Sequence, residues 1–333
     1  MTTAMRFAHH GGALDAARAA FPDAPEPWID LSTGINPQAY PVGALPVDAW
    51  TRLPEAAALA GLEAAAVRRY GCPPGVAVVA APGTQAIIQR LPALFAGRDI
   101  RILGRTYGEY ARVFAAAGAA VQVVAALGDL AGADVAVVVN PNNPDGRLVD
   151  PAALVALSTE VGALVVDEAF VDALPPGHSV VPHLPAARML GLRSFGKFYG
   201  LAGLRLGFAV ARLDLAAVLR DTLGPWAVSG PALEIGARAL ADTAWVQASR
   251  TRLVAEAARL DALLAGAGMT LIGGTPLFRL AASAQAASLF DALARAGILT
   301  RPFADNPTWL RFGLPESEDA WVRLDRVLAA FSG

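Results

Sequence analysis

The chain has 333 residues, of which 55% are hydrophobic and 17% charged, and a formal net charge of −2. That length suits one large or two moderate domains. The weak net charge without a basic block argues against nucleic acid or an anionic membrane as the main partner. Cys72 is the one cysteine, which excludes an internal disulfide framework. Because no leader-like or membrane-spanning apolar run is present, we expect a cytoplasmic protein. We also expect no metal site.

Residues 1–45 are rich in glycine and proline and predict an N-terminal arm, with one short helix over 13–20. Beyond the arm, β-branched runs alternate with helical stretches, which predicts crossover units and a largely parallel sheet. Strands are expected at Val76–Ala80, Ile100–Leu103, Ala120–Val124, Val135–Val139, Ala163–Val166, Met189–Leu192 and Leu206–Val210, with helices over 84–95, 109–117 and 152–161.

The character of the sequence changes after residue 212. A long helical region is expected over 231–267, broken near Asp242, followed by helices over 286–296 and 318–331 and strands over 276–280, 298–301 and 308–312. We therefore expect an α/β fold: a mostly parallel central sheet with helices on both faces, and a smaller α+β domain. The predicted domains are the arm (1–45), a large domain (46–212) and a small C-terminal domain (213–333) packed with part of the arm.

Lys197 is the only lysine among the 27 basic residues. Unlike arginine, lysine can lose its proton near neutral pH and attack a carbonyl as a free amine. A compositional drift toward arginine could also leave one lysine by accident. Taken alone, Lys197 supports covalent chemistry and accident equally.

Two polar clusters follow the earlier predicted strands, at the position where open α/β sheets bind ligands. Gly83-Thr84 opens a helix and suits a phosphate, although any strand-to-helix turn needs a glycine and a cap. The segment Asn140–Gly146 contains three asparagines, more amides than capping requires, although an ordinary capped loop remains an alternative.

Two further clusters follow the later strands. Asp167 comes at the end of a buried strand, where it is either a helix cap or a pocket carboxylate that faces a cation. Ser194, Lys197 and Arg205 place a hydroxyl, an amine and a guanidinium around a glycine-rich turn. A ligand with a phosphate, a ring nitrogen, a ring hydroxyl and an aldehyde would use all four clusters, and pyridoxal 5′-phosphate (PLP) is such a ligand.

The chain resembles the fold-type I PLP enzymes of the aminotransferase class I/II family over nearly its whole length. The motifs that carry this resemblance are Gly83-Thr84, Tyr107, Asn143-Pro144-x-Gly146, Asp167-Glu168, Ser194-x-x-Lys197 and Arg205. The resemblance implies that Lys197 bonds covalently to the cofactor and that Asp167 pairs with the pyridine N–H. It further implies that Asn143 contacts the ring oxygen and that Tyr107 packs on the ring face. The implied phosphate contacts come from Gly83, Thr84, Ser194 and Arg205.

Two branches of this family compete. Histidinol-phosphate aminotransferases share the chain's size and motifs. The segments His9–Ala13 and Ile29–Pro37, and Phe170 where aminotransferases usually place tyrosine, instead resemble L-threonine O-3-phosphate decarboxylases. The decarboxylase resemblance implies substrate contacts from His10, Gly11, Gly34, Asn143, Arg301 and Arg311, with Arg311 taking the α-carboxylate.

The preferred hypothesis is therefore a carbon–carbon lyase that converts L-threonine O-3-phosphate into (R)-1-amino-2-propanol O-2-phosphate in cobalamin biosynthesis. A histidinol-phosphate or related class I/II aminotransferase is the alternative. A PLP-fold binding or regulatory protein is disfavoured by the complete catalytic set. The resemblance also implies a homodimer, although Leu53 stands where many relatives carry a tyrosine that reaches the partner subunit's cofactor phosphate.

Overall fold

The structure is a computed structural model that describes residue 7 and residues 11–95, 97–184 and 188–331. The described chain forms two compact units: one comprises residues 39–143 and 147–248, and the other comprises the residues up to 38, residues 144–146 and those from 249 onward. The division at 45/46 and 212/213 suggested by the sequence stays a prediction.

Most of the predicted strands are present within one or two residues of their expected bounds. The described strands are β1 (Ile29–Asp30), β2 (Val76–Ala81), β3 (Asp99–Leu103), β4 (Ala120–Val124), β5 (Val135–Val139), β6 (Ala163–Asp167), β7 (Met189–Ser194), β8 (Gly207–Arg212), β9 (Thr270–Thr275), β10 (Phe278–Ala282), β11 (Ile298–Leu299), β12 (Arg301–Pro302) and β13 (Trp309–Gly313).

The helices follow the predicted order with some changes in length. The described helices are α1 (Leu14–Ala20), α2 (Asp48–Thr51), α3 (Ala56–Tyr70), α4 (Thr84–Ile88), α5 (Leu91–Leu94), α6 (Glu109–Ala116), α7 (Pro151–Leu157), α8 (Phe195–Phe198), α9 (Leu213–Leu223), α10 (Gly230–Ala241), α11 (Thr243–Gly266), α12 (Ala286–Arg295) and α13 (Glu318–Phe331). No helix of the described residues is long and apolar enough to cross a membrane.

The larger unit is built on a seven-stranded sheet in the order β2-β8-β7-β6-β5-β3-β4. Its strands run parallel to one another except β8, which is antiparallel to both of its neighbours. Every residue of β5 and β6 is buried, as expected for valine-rich strands inside a parallel sheet. These features confirm the predicted α/β class with a mostly parallel central sheet.

The smaller unit contains an antiparallel sheet in the order β12-β13-β10-β9 and a parallel pair of β1 with β11. Strand β9 is absent from the sequence expectations because Gly273 and Gly274 weaken the strand pattern. A Cβ at Gly273 would stand 2.2 Å from the carbonyl oxygen of Asp145, and one at Gly274 would stand 2.3 Å from that of Phe278. Close backbone approach therefore requires glycine at both positions.

Two helix expectations differ instructively from the structure. The single helix expected over 84–95 is divided into α4 and α5, and Pro92 stands in the first turn of α5, where its missing N–H costs nothing. The break expected near Asp242 is confirmed: α10 ends at Ala241, and the Asp242 carboxylate accepts a hydrogen bond from the Trp245 N–H at 2.9 Å in the first turn of α11.

Candidate active site

One edge of the seven-stranded sheet gathers the predicted cofactor residues. Ala81, Gly207 and Ser194 lie in one row across β2, β8 and β7, and Val139 lies beside Asp167 across β5 and β6. The loops after β2, β5, β6 and β7, and the loop before β8, therefore emerge at the same edge. This is the position at which α/β sheets bind their ligands.

Gly83 and Arg205 are in close contact at this edge. Gly83 has a φ of 81°, a left-handed conformation that favours glycine, and a Cβ there would stand 2.9 Å from the Arg205 Nη2. A Cβ at Gly207 would stand 2.5 Å from the amide nitrogen of Thr84. The two glycines thus allow backbone amide and guanidinium groups to come together, and this donor set suits a phosphate.

Asp167 is a buried carboxylate whose two oxygens are both bonded. Its Oδ2 accepts a hydrogen bond from the Tyr110 hydroxyl at 2.7 Å, and its Oδ1 accepts one from the Ala169 N–H at 2.9 Å. Burial raises the pKa of Asp167, while these two hydrogen bonds and the charge of Lys197 act in the opposite direction. A cationic partner would therefore stabilise the ionised form of this buried carboxylate.

Lys197 lies on the one-turn helix α8, which begins directly after β7 and Ser194. Its side chain is partly buried, with Nζ 5.7 Å from the centre of the Phe170 ring. Its charge acts on Asp167. The predicted covalent lysine and the predicted acid are thus electrostatic neighbours, on segments carried by two adjacent parallel strands.

Tyr107 and Asn143 are both partly buried. The Tyr107 hydroxyl donates to the Gln85 Oε1 at 3.2 Å, and the Gln85 amide donates to the Glu109 Oε2 at 2.7 Å. The Tyr107 ring meets the Tyr110 ring edge to face, with centroids 6.3 Å apart. These contacts hold Tyr107 in place just before α6 begins. Asn143 lies in the loop after β5, as predicted.

Arg311, in the smaller unit, is 4% exposed. Its Nη2 donates to the carbonyl oxygen of Ser32 at 2.8 Å, and its guanidinium lies 5.1 Å from the centre of the Phe278 ring. Burial, and then the charge of Arg301, lower the pKa of Arg311 to about 9 against the opposing charge of Asp30. A buried guanidinium beside a second one favours an anionic ligand.

Gly11 is close to the same Ser32 carbonyl, from which a Cβ at Gly11 would be separated by only 2.4 Å. The Ser32 hydroxyl accepts a hydrogen bond from the Gly12 N–H at 2.7 Å. Gly34 is buried in the same segment, and His10 lies outside the described residues. The structure thus brings Gly11 and Arg311 to one backbone carbonyl within the smaller unit. Of the predicted substrate residues, Asn143 alone belongs to the larger unit.

Sequence reasoning missed Tyr110, although a signal for it existed. Tyr107 precedes α6 and Tyr110 lies in its first turn, so the signal was the closeness of the two tyrosines in the sequence. Its chemical partner, Asp167, is 57 positions away in sequence. No local pattern indicates that contact.

A buried ionic network around Arg193 was missed as well. Its Nη1 donates to the Glu168 Oε2 at 3.1 Å, and its Nη2 donates to Asp172. Glu168 also accepts hydrogen bonds from the Ser179 hydroxyl at 2.7 Å and the Val180 N–H at 2.6 Å. Because Glu168 follows Asp167 and Arg193 precedes Ser194, the network anchors the ends of the two strands that carry the site.

Comparison with known proteins places these observations in a family. The model of the family "Aminotransferase class I and II" matches residues 36–326. The chain is 47% identical to a threonine-phosphate decarboxylase of Sinorhizobium sp over 96% of this chain and 97% of that protein. It is 43% identical to a threonine-phosphate decarboxylase of Pseudomonas aeruginosa over 97% of both chains.

A solved structure confirms the fold type. The histidinol-phosphate aminotransferase of Sinorhizobium meliloti, in complex with pyridoxal-5′-phosphate, superposes with a TM-score of 0.81 at 18% identity, over 100% of this chain and 97% of that one. The resemblance drawn from the motifs is confirmed. The chain belongs to the aminotransferase class I and II family.

Proposed function

We propose that this protein is a PLP-dependent decarboxylase that converts L-threonine O-3-phosphate into (R)-1-amino-2-propanol O-2-phosphate. It is thus a carbon–carbon lyase of cobalamin biosynthesis. The single observation that carries this proposal is the full-length likeness to two threonine-phosphate decarboxylases. An aminotransferase activity on histidinol phosphate is not favoured.

The described residues fit PLP. Asp167 offers a buried carboxylate for a ring N–H, Lys197 offers an amine near it, and Gly83 with Arg205 leaves room for a phosphate beside a guanidinium. When bound, the cofactor supplies a ring that accepts the electron pair left behind by a departing carboxylate.

Within this proposal the residues of the larger unit hold the cofactor. Lys197 would hold it through its side-chain amine, and that amine would donate a proton to the substrate Cα. Asp167 would pair with the pyridine N–H, and Tyr107 would pack on the ring face. Asn143 would hold the ring oxygen. The cofactor phosphate would be held by Gly83, Thr84, Ser194 and Arg205.

Residues of the smaller unit recognise the substrate. Arg311 binds the α-carboxylate as a bidentate pair, and Arg301 binds the phosphate together with His10, Gly11 and Gly34. Two guanidinium groups in register on β12 and β13 match a substrate with two anionic groups. Holding both ends of the substrate would orient the bonds at Cα, and that orientation would decide between decarboxylation and transamination.

We further propose that the protein works in the cytoplasm as a homodimer. Val47, Trp50, Leu53 and Trp226, all in the larger unit, are between 60% and 72% exposed. Pro54 lines one cleft together with Leu53 and another together with Trp226. Exposed apolar surface of this kind marks interaction sites.

Purified protein loaded with PLP tests the reaction. We expect CO₂ release from L-threonine O-3-phosphate without any amino acceptor, and no amino transfer from histidinol phosphate. Lys197→Arg keeps the positive charge but removes the titratable amine, so it should lose activity. Turnover of histidinol phosphate that depends on an oxo-acid acceptor, or activity that survives in Lys197→Arg, would contradict the proposal.

A further inference from the structure

The Tyr110 hydroxyl is placed to control the orientation of the Asp167 carboxylate. Tyr110 is fully buried in α6, and its hydroxyl donates to the Asp167 Oδ2 at 2.7 Å. The other oxygen, Oδ1, accepts the Ala169 N–H at 2.9 Å. Two donors from different elements fix the rotation of one carboxylate, so its remaining lone pairs point in a defined direction.

The environment keeps Tyr110 a proton donor at every physiological pH. Burial raises the pKa of the Tyr110 phenol, and the nearby charge of Asp167 raises it further. An uncharged phenol donates to a carboxylate and stabilises its ionised form. The hydrogen bond from Tyr110 is the largest of the influences that oppose the effect of burial on the Asp167 pKa.

Tyr110 also connects Asp167 to a second predicted cofactor contact. Its ring meets the Tyr107 ring edge to face at an interplanar angle of 83°. The Tyr107 hydroxyl is tied through Gln85 to Glu109, the residue that precedes Tyr110 in α6. One helical turn thus sets the position of Tyr107 and Asp167 together.

We propose that Tyr110 is a positioning residue that aims the Asp167 carboxylate at the cofactor's ring nitrogen. This inference rests on the proposed function, in which Asp167 pairs with the pyridine N–H. It assigns Tyr110 no contact with substrate or cofactor. Its effect passes through Asp167.

Tyr110→Phe tests this directly, since it keeps the ring, and with it the packing against Tyr107, and removes one oxygen atom. A hydrogen bond to a charged group contributes enough to expect a loss of about 10- to 100-fold. We expect cofactor affinity, measured by absorbance titration, to fall by about tenfold or more, and kcat to fall similarly while the substrate KM stays within about threefold.

The pH dependence supplies a readout that mere loosening of the fold would not produce. Without the Tyr110 donor, the pKa of Asp167 rises further, so Asp167 becomes protonated at a higher pH than in the wild type. The acid limb of cofactor affinity should therefore move to higher pH in Tyr110→Phe, while the alkaline limb stays in place.

Tyr70→Phe is the matched control. Tyr70 is also buried, and its hydroxyl has no hydrogen-bond partner among the described residues, so this variant should match the wild type in affinity and acid limb. Asp167→Asn completes a double-mutant cycle. If Tyr110 acts through Asp167, adding Tyr110→Phe to Asp167→Asn should produce little further loss.

Two outcomes would overturn the inference: wild-type cofactor affinity and acid limb in Tyr110→Phe, or an equal loss in the wild-type and Asp167→Asn backgrounds. Cofactor titration needs no substrate, so it decides the role of Tyr110 even if the protein does not decarboxylate L-threonine O-3-phosphate. Conversely, a decarboxylase that is indifferent to Tyr110→Phe would remove this inference and leave the proposed function intact.

Discussion

Arg301 and Arg311 lie directly opposite each other on the antiparallel strands β12 and β13. Like charges at such a position destabilise a sheet, and Arg311 is also 4% exposed. A protein that accepts this cost in its folded state recovers it when a ligand brings an anionic group to each of the two charges. The arrangement therefore indicates ligand binding more strongly than either arginine would alone.

Arg301→Gln should increase the stability of the protein and at the same time weaken substrate binding. Removing the Arg301 charge lets the pKa of Arg311 rise from about 9 toward its ordinary value. A base whose folded pKa is lowered destabilises the fold below that pKa, so at neutral pH the unliganded variant should be about 1 kcal/mol more stable in urea unfolding. The substrate KM should rise about 30-fold or more, because a charged contact is lost.

Arg295→Gln, an exposed position on α12 in the same unit, serves as the control and should change neither quantity. An unchanged KM in Arg301→Gln would remove Arg301 from the proposed substrate contacts.

Gly83→Ala should weaken cofactor binding without unfolding the protein. A methyl group there would stand 2.9 Å from the Arg205 guanidinium, which must then move away from the phosphate position. We expect cofactor affinity to fall by about tenfold or more, a loss typical of a weakened charged hydrogen bond. Gly224→Ala imposes a comparable backbone strain, with φ of 76°, ψ of 177° and no neighbouring atom within 4 Å, against φ of 81° and ψ of 158° at Gly83. It should reduce stability slightly and leave affinity unchanged. Equal affinities in the two variants would exclude the proposed phosphate contact.

Arg193→Met should destabilise the protein in a pH-dependent way. Removing one partner of a buried ion pair costs about 3–5 kcal/mol, whereas removal of the exposed Arg212 from its pair with Asp214 should cost less than about 1 kcal/mol.

Burial already raises the pKa of Glu168 against the attraction of Arg193, and loss of Arg193 raises it further. A carboxyl with a raised folded pKa loses stability as pH rises. The deficit of Arg193→Met should therefore be larger at about pH 8 than at about pH 5, as measured by urea unfolding. A deficit independent of pH would show that lost packing, rather than the uncompensated carboxylate, is responsible.

Trp50→Asp should disrupt the proposed homodimer. Trp50 is 68% exposed, and Leu53 and Trp226 are exposed to 65% and 60%. A charge at the centre of an apolar interface costs enough to shift association by orders of magnitude, so sedimentation should show monomers in the variant and dimers in the wild type. Val254→Asp, 55% exposed on α11, should remain dimeric. A wild-type monomer at micromolar concentration would refute the proposed assembly.

The sequence predicted the sheet of the larger unit well, because β5 and β6 are continuous apolar runs bounded by polar residues. It also indicated Asp167 and Lys197, because a carboxylate ends the buried strand β6 and the only lysine of the chain follows β7 closely. Tyr110 and Arg193 were beyond its reach, because their roles arise from contacts with distant residues. Strand β9 could not be predicted, because close backbone neighbours require its two glycines and glycine does not contribute to a strand pattern.

The place of β8 between β2 and β7 predicts when the seven-stranded sheet can be completed while the chain is being synthesised. Among the described strands, β2 pairs with β8 alone, although residues 82–206 separate them. A nascent chain that has released β2 through β7 still has an open gap between β2 and β7, and Gly83 does not yet have Arg205 as a neighbour. Such distant pairings form slowly. We therefore expect the capacity to bind the cofactor to arise only when β8 enters the gap, so chains truncated before residue 207 should bind none.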